Sequence, residues 1–170
     1  MTKTKIVVDA DVIIHFAKAD YLSTLPTIFP EYRMIVLSAV FEELKGDIKQ
    51  QIENMTSLLK NMDMIPFTPQ KDMKLEYAKL SRRFGKGESA CMAYCLYTNN
   101  VIGSSNLKDI KEYCQQHQLI YLTTLDFLYY AIKREKMTVD EAHQFIQTVR
   151  EKGSKLPDTD FNVFISPVVI

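Results

Sequence analysis

The chain has 170 residues, of which 46% are hydrophobic and 25% are charged, values that suit one globular domain and exclude a disordered or fibrous protein. Its 21 basic and 21 acidic residues give a net charge of zero, so any nucleic-acid-binding surface has to be a local basic patch. No apolar run approaches the roughly 18 residues of a membrane span, and no membrane partner is expected.

Short apolar segments alternate with segments of helical periodicity along the chain. The pattern predicts strands at residues 5–8, 34–37, 64–67, 101–103 and 119–122. It predicts helices at 12–19, 22–29, from about 38, 48–61, 71–84, 88–97, 107–114, 127–133 and 139–152, the last opening with a Thr138-x-x-Glu141 capping box. Strands separated by helices favour an α/β fold, a three-layer α/β/α sandwich with a central, mainly parallel sheet of four or five strands.

The chain shows no internal repeat and no linker before about Lys155. Residues 1–156 are therefore predicted to form one domain. Residues 157–170 are predicted to be a C-terminal extension that packs on this domain or on a partner, and their apolar content suggests an added strand or a partner contact.

Acidic residues occur where several predicted strands end or where the following helices begin. In order, these residues are Asp9, Asp11, Glu42, Glu43, Glu88 and Asp109. The carboxyl ends of parallel strands form one edge of a sheet, where ligands bind. Each acid alone is explained by a solvated surface or by the helix dipole, but clustered carboxylates repel one another unless a cation compensates. Mg²⁺ or Mn²⁺ is the suitable cation, and such an ion activates water and stabilises charge on a phosphate.

Four motifs, in order over roughly residues 4–116, resemble those of the PIN-domain family. They are Val-Val-Asp-Ala-Asp-Val-Ile-Ile at 7–14, Leu-Ser-Ala-Val-Phe-Glu-Glu-Leu at 37–44, Gly-Glu-Ser-Ala-Cys-Met-Ala at 87–93 and Ser-Ser-Asn-Leu-Lys-Asp-Ile at 104–110. In the second motif the family's functional acid directly precedes Leu, which selects Glu43 over Glu42. Residues 123–156 resemble the helical pair that follows in the VapC-like bacterial ribonuclease branch.

This resemblance implies a divalent-metal-dependent endoribonuclease that cuts RNA, in many members the toxin of a toxin–antitoxin pair. It implies that Asp9, Glu43, Glu88 and Asp109 are the catalytic metal ligands, with Asp11, Asn106 and Ser104 in support. Asn106 stands where many members have Asp, and Ser104 replaces the usual Thr but keeps the hydroxyl. The expected partners are RNA, a cognate antitoxin protein and a second copy of the chain.

Arg82, Arg83 and Lys86 form the densest basic group beside a predicted ligand, and they are predicted to contact RNA phosphates. The alternative is that they only interact favourably with the helix dipole at a helix C-terminus and keep the surface soluble. In that case the RNA would follow Lys45, Lys49 and Lys108 or a second subunit.

Two other functions fit parts of the sequence. Asp9 and Asp11 also match the opening motif of haloacid-dehalogenase-type phosphatases, with Asp9 as nucleophile and Asp11 as acid and base. That chemistry needs a later pair of acids after a strand, whereas strand 101–103 is followed by Ser-Ser-Asn. The second alternative is a non-catalytic PIN-like module that binds nucleic acid without cutting it.

Three cysteines, an odd number, do not form a disulfide framework, and no signal-peptide pattern precedes the first strand. Both features predict a cytoplasmic protein. Cys91, Cys95, Cys114 and His117 could be assembled into a zinc site, but the spacing of Cys91 and Cys95 favours a core-facing helical stripe. His15 and His143, and the aromatic run 127–130, are predicted to serve packing.

Overall fold

The computed structural model of the chain describes residues 4–170, except for the side chain of Leu107. Within this part there are five strands, β1 (Lys5–Val8), β2 (Arg33–Leu37), β3 (Asp63–Ile65), β4 (Val101–Gly103) and β5 (Tyr121–Leu122). The helices are α1 (Ala10–Lys18), α2 (Ser38–Phe41), α3 (Gly46–Ser57), α4 (Lys71–Leu80), α5 (Lys86–Thr98), α6 (Leu107–His117), α7 (Thr124–Lys133) and α8 (Val139–Glu151). None of these helices has the length and apolar character needed to cross a membrane.

The five strands form one sheet in the order β3-β2-β1-β4-β5, and every neighbouring pair is parallel. Two groups of helices flank it: α1 contacts α3 and α8, and α8 contacts α7, whereas α5 contacts α2 and α4. The predicted α/β sandwich with a central parallel sheet is therefore confirmed. Because all strands run the same way, their carboxyl ends lie along one edge of the sheet.

The central strand β1 is buried because apolar side chains cover it on both sides. Ile6, Val7 and Val8 are fully buried, as expected for a strand with helices on both faces. Next to it, an ideal Cβ on Gly103 would lie 3.1 Å from the Phe127 ring. The glycine thus allows α7 to pack closely on β4, and the prediction that Phe127 serves packing agrees with its full burial.

The predicted helix at 22–29 is wrong, because only a short 3₁₀ helix, Leu25–Thr27, forms there. Pro26 removes a backbone N–H and disfavours helical backbone at the residue before it. Leu25 and Ile28 are nevertheless fully buried. The helical spacing of apolar residues in this segment therefore reflects contact with the core rather than a regular helix.

Two helices begin with reciprocal caps. The predicted capping box of α8 is confirmed: the Glu141 N–H donates to the Thr138 hydroxyl at 3.1 Å, and the Thr138 N–H donates to Glu141 Oε2 at 2.7 Å. A second box, formed by Thr123 and Asp126, opens α7 three residues before its predicted start. Each box satisfies backbone donors that a helix start leaves unpaired.

Residues 157–170 contact α7 and α8. The Ser166 hydroxyl donates to the buried Asp126 carboxylate at 2.6 Å, the Tyr130 hydroxyl donates to the Val168 carbonyl at 2.6 Å, and the Phe161 N–H donates to His143 Nε2 at 3.0 Å. The suggested added strand does not form in this segment, where two prolines lack the N–H that a ladder needs. The division at residue 156 stays a prediction.

Candidate active site

Asp9 occupies the point where the central strand ends and α1 begins. Its backbone N–H donates to the Gly103 carbonyl at 2.8 Å, which ties the residue to β4. Its side chain accepts the Ala10 N–H at 2.8 Å and is only 6% exposed. A short carboxylate at a helix start is stabilised by the exposed N–H groups. Burial at this position nevertheless separates the charge from water.

The loop 104–106, directly after β4, connects three of the predicted acids. The Ser105 N–H donates to Asp11 Oδ2 at 2.8 Å. The Ser104 hydroxyl lies 3.4 Å from Asp11 Oδ2 and 3.5 Å from Asp9 Oδ2. The Asn106 amide donates to Asp109 Oδ2 at 2.8 Å. Two of the three residues predicted to support the site, Ser104 and Asn106, therefore contact carboxylates.

Glu43 and Glu88 approach from the other side, after β2 and at the start of α5. Glu42 and Glu43 are both exposed, but the Gly87 N–H donates to Glu43 Oε1 at 2.8 Å. Glu88 is 9% exposed, and its Oε1 has no hydrogen-bond partner within the described residues. A buried carboxylate oxygen without a donor is costly, so this atom is free to accept a proton donor or a cation.

The pKa shifts show that these carboxyl groups share one electrostatic environment. Burial and then the Asp11 charge raise the pKa of Asp9 well above its usual value, with further repulsion from Glu88 and Glu43. Burial also raises the pKa of Asp11, although several hydrogen bonds oppose the rise. Burial and the charges of Asp109, Asp11 and Glu43 raise the pKa of Glu88 to about 7. The structure thus brings all five predicted acids into electrostatic contact.

The donor types suit a hard divalent cation, but the side chains do not converge on one point. Among the described residues, no group of three or more His, Cys, Asp or Glu side chains is placed to hold a metal ion as it stands. Glu43, Asp11 and Asp109 each direct an oxygen to a protein N–H instead. The chemistry of the set fits Mg²⁺ or Mn²⁺, and binding would require rotation of these side chains.

The predicted RNA-binding residues lie at the turn between α4 and α5. Arg82, Arg83 and Lys86 are exposed there. In the described part of the chain, none of the three forms an ion pair with the acidic residues. The Arg83 guanidinium lies 5.2 Å from the centre of the Phe84 ring, and Arg83 shares a cleft with Asp109. Their charges therefore remain available beside the acidic site.

A family profile described as PIN domain matches residues 5–168. The chain belongs to the PIN-domain family. No curated protein matches the chain. PIN domains are typically nucleases that use divalent metals, so family membership indicates a nuclease-type function and nucleic-acid binding. The matched range includes the loop 104–106 and all the acids described above.

No local sequence pattern predicts one buried hydrogen-bond network of this PIN domain. His15 Nδ1 lies 2.8 Å from the Thr124 hydroxyl, which lies 2.5 Å from the Ser105 hydroxyl. The Ser105 hydroxyl also accepts the Thr124 N–H at 2.8 Å. His15 is 5% exposed, and burial followed by the Lys18 charge lowers its pKa to about 4. The neutral imidazole therefore anchors the loop that holds Asp11.

Thr124→Val should test this anchor. Valine keeps the volume but leaves His15 and Ser105 without their shared partner, which costs about 1–3 kcal/mol in the free energy of unfolding. Thr124→Ser keeps the hydroxyl and should cost clearly less. Urea unfolding followed by circular dichroism measures both variants. Equal stability of Thr124→Val and the wild type would contradict the assigned role.

Gly87→Ala tests the position of Glu43. An ideal Cβ at residue 87 would lie 2.7 Å from Glu43 Oε2 and 2.9 Å from its Cδ. The flexible Glu43 side chain can move away, so we expect unchanged or higher stability, since alanine favours a helix over glycine by about 1 kcal/mol. The displaced carboxylate should weaken Mn²⁺ binding about 10- to 100-fold in isothermal titration calorimetry.

Gly85→Ala is the matched control for this variant, because its Cβ would lie 4.0 Å from the same carboxylate, an ordinary contact. It should retain Mn²⁺ affinity even though it replaces the N-cap glycine of α5. Equal Mn²⁺ affinity of the two variants would show that the Glu43 position does not matter for metal binding.

The cysteines lie in the core of the PIN domain. Cys91, Cys95 and Cys114 are buried free thiols, and the Cys95 thiol donates to the Val101 carbonyl at 3.7 Å. Burial raises the pKa of each thiol, which disfavours the thiolate form that zinc requires. His117 instead packs its ring against Tyr113, with centroids 4.4 Å apart.

Proposed function

We propose that this PIN domain is a divalent-metal-dependent endoribonuclease. Asp9, Glu43, Glu88 and Asp109 would hold Mg²⁺ or Mn²⁺, with Asp11, Asn106 and Ser104 in support. The observation that carries the proposal is a group of mutually repelling carboxylates at the carboxyl edge of the sheet, of which Asp9 and Glu88 are buried; Glu88 Oε1 has no donor among the described residues. When bound, the cation supplies a more acidic water and stabilises negative charge on the phosphate.

The contribution of the protein is to hold the acids in place and to limit water. Backbone N–H groups of Ser105 and Gly87 orient Asp11 and Glu43, and the Asn106 amide orients Asp109. These hydrogen bonds hold the carboxylates near the sheet edge, so that a rotation of each side chain would bring its oxygens to the cation. The burial of Asp9 and Glu88 strengthens their interaction with a cation.

RNA as the substrate and the toxin role both follow from the motif resemblance. Arg82, Arg83 and Lys86 are proposed to contact RNA phosphates beside the acidic site, since they are exposed there. The helical pair α7 and α8 resembles the VapC-like branch, and we infer from it a toxin of a toxin–antitoxin pair. A cognate antitoxin and a homodimer are the partners that go with this role.

The experiment is a cleavage assay on an end-labelled single-stranded RNA. The protein should cut the RNA internally with Mn²⁺ or Mg²⁺, and a chelator should stop the reaction. An Asp109→Asn preparation, purified in the same way, controls for contaminating nuclease. Cleavage that survives chelation contradicts the metal-dependent mechanism. RNA binding without cleavage would instead identify a non-catalytic binding module.

A further inference from the structure

A cleft of about 130 Å³ lies between α4 and α6, directly beside the acidic site. Asp109 and Arg83 both line it, so the cleft is continuous with the proposed metal site and with the proposed path of the RNA phosphates. Its volume is well below the roughly 300 Å³ at which pockets for drug-sized molecules begin. It therefore suits one small ring system rather than a whole nucleotide.

The lining of the cleft combines ring surfaces with fixed hydrogen-bond acceptors. Tyr113 is buried, and its hydroxyl donates to Glu76 Oε1 at 3.2 Å. The rings of His117 and Phe84 and the buried Leu80 provide apolar surface. Burial and the Glu76 charge raise the pKa of Tyr113 far above its usual value, so the phenol stays a donor. Glu76 is thereby held with lone pairs left to accept further donors.

We propose that this cleft is a nucleobase subsite, and that guanine is the base it takes beside the scissile phosphate. The inference rests on the proposed function, because it treats RNA as the substrate. A carboxylate accepts two adjacent N–H donors, which the Watson–Crick edge of guanine presents at N1 and N2. Uracil presents one N–H between two carbonyl oxygens, which carboxylates repel. Aromatic side chains are the usual stacking surface for unpaired RNA bases.

Arg83 and Lys79 complete the recognition set. Both line the cleft and are exposed, so they can contact the phosphate attached to the bound nucleoside. Without them, Glu76 and Glu112 would repel the RNA backbone. The cleft thus selects the base with its carboxylates and offsets their charge with its cations.

The test measures binding separately from cutting, with the full chain carrying Asp9→Asn. The probes are fluorescein-labelled hexauridine and the same RNA with a single guanosine, adenosine or cytidine, in the presence of Mn²⁺. Fluorescence anisotropy should show about 5- to 100-fold tighter binding for the guanosine probe, the range of one bidentate base contact. Adding Glu76→Gln should reduce this preference to about threefold or less, because an amide replaces one acceptor by a donor.

Two further variants sharpen the result. Tyr113→Phe removes the hydrogen bond that orients Glu76 and should also reduce the guanine preference. Glu53→Gln, on the exposed side of α3, removes the same charge elsewhere and should leave the preference unchanged. The absence of any RNA binding, equal binding of all four probes, or a guanine preference that survives Glu76→Gln overturns the subsite.

The outcomes for the cleft and for the nuclease are distinguishable. Metal-dependent cleavage by the wild type without base preference would overturn the cleft alone. A guanine preference that depends on Glu76, in a protein that cuts no RNA, would overturn the nuclease and retain the cleft as an RNA-binding site.

Discussion

Asp9→Asn is expected to lower metal-dependent RNA cleavage about a thousandfold, a loss of about 4 kcal/mol in transition-state stabilisation. The substitution removes one negative charge from the centre of the proposed ligand set. The fold should remain intact, because asparagine keeps the oxygen that accepts the Ala10 N–H. It also relieves repulsion from Asp11, Glu88 and Glu43. Loss of activity should therefore come without loss of stability.

Single-turnover cleavage of end-labelled RNA measures the rate, and circular dichroism with thermal unfolding reports the fold. Asp158→Asn is the control, because this residue is exposed and only approaches Arg150 at 3.8 Å. It should cut at the wild-type rate. Cleavage by Asp9→Asn within about tenfold of the wild type would remove Asp9 from the catalytic site.

The sheet was predictable because parallel strands buried on both faces appear as continuous apolar runs. Residues 5–8 and 101–103 are such runs, and both became strands in the predicted positions. Helix periodicity located all eight helices of the described residues to within a few residues, but it also suggested a helix at 22–29. There, burial and helical spacing coincide without helical hydrogen bonds.

The proximity of these acids was predictable for a topological reason. In a parallel sheet, residues that directly follow a strand lie at one edge, and Asp9 and the loop 104–106 both obey this rule. Side-chain direction is not encoded in that way. The bond from Gly87 to Glu43 spans 44 positions, and the bond from His15 to Thr124 spans 109. Such contacts depend on how helices pack, which no local pattern records.

The cap of α7 also depends on a contact that no local pattern records. The Thr123-x-x-Asp126 spacing is present in the sequence, yet the usual signal has Glu or Gln at the last position. The Asp126 carboxylate reaches the Thr123 N–H and also accepts the Ser166 hydroxyl. This second contact, 40 positions away, holds the carboxylate beneath the C-terminal segment. The helix start that the sequence did not predict and the docking of residues 157–170 therefore both depend on the Asp126 carboxylate.

Glu88→Gln should stabilise the metal-free protein at pH 7.5 but not at pH 4.5. The folded-state pKa of Glu88 is raised to about 7, so the folded protein binds a proton that the unfolded chain releases. Stability from this group is present below the unfolded pKa, near 4.5, and is lost as the pH rises through 7. Glutamine resembles the protonated acid at every pH. The variant should exceed the wild type at pH 7.5 by on the order of 2–3 kcal/mol.

The stability of Glu88→Gln has to be compared with that of the wild type at each pH, because His15 changes the stability of both proteins with pH in the opposite direction to Glu88. Its pKa is lowered to about 4, so the unfolded chain binds the extra proton and stability rises with pH up to about 6.5. This contribution is the same in both proteins and cancels in the difference. Thermal and urea unfolding in chelator, at pH values from 4.5 to 7.5, give that difference directly.

With Mn²⁺ at pH 7.5, the wild type should become more stable than Glu88→Gln. The wild type gains about 2.7 kcal/mol at one hundred times the dissociation constant, and the gain is larger at pH 7.5 than at pH 4.5 because the ligands must be deprotonated. Glu88→Gln lacks one ligand charge and should gain less. If the wild type were more stable than Glu88→Gln at pH 7.5 in chelator, the Glu88 charge would not destabilise the metal-free fold. Equal gains from Mn²⁺ in both proteins would place the metal elsewhere.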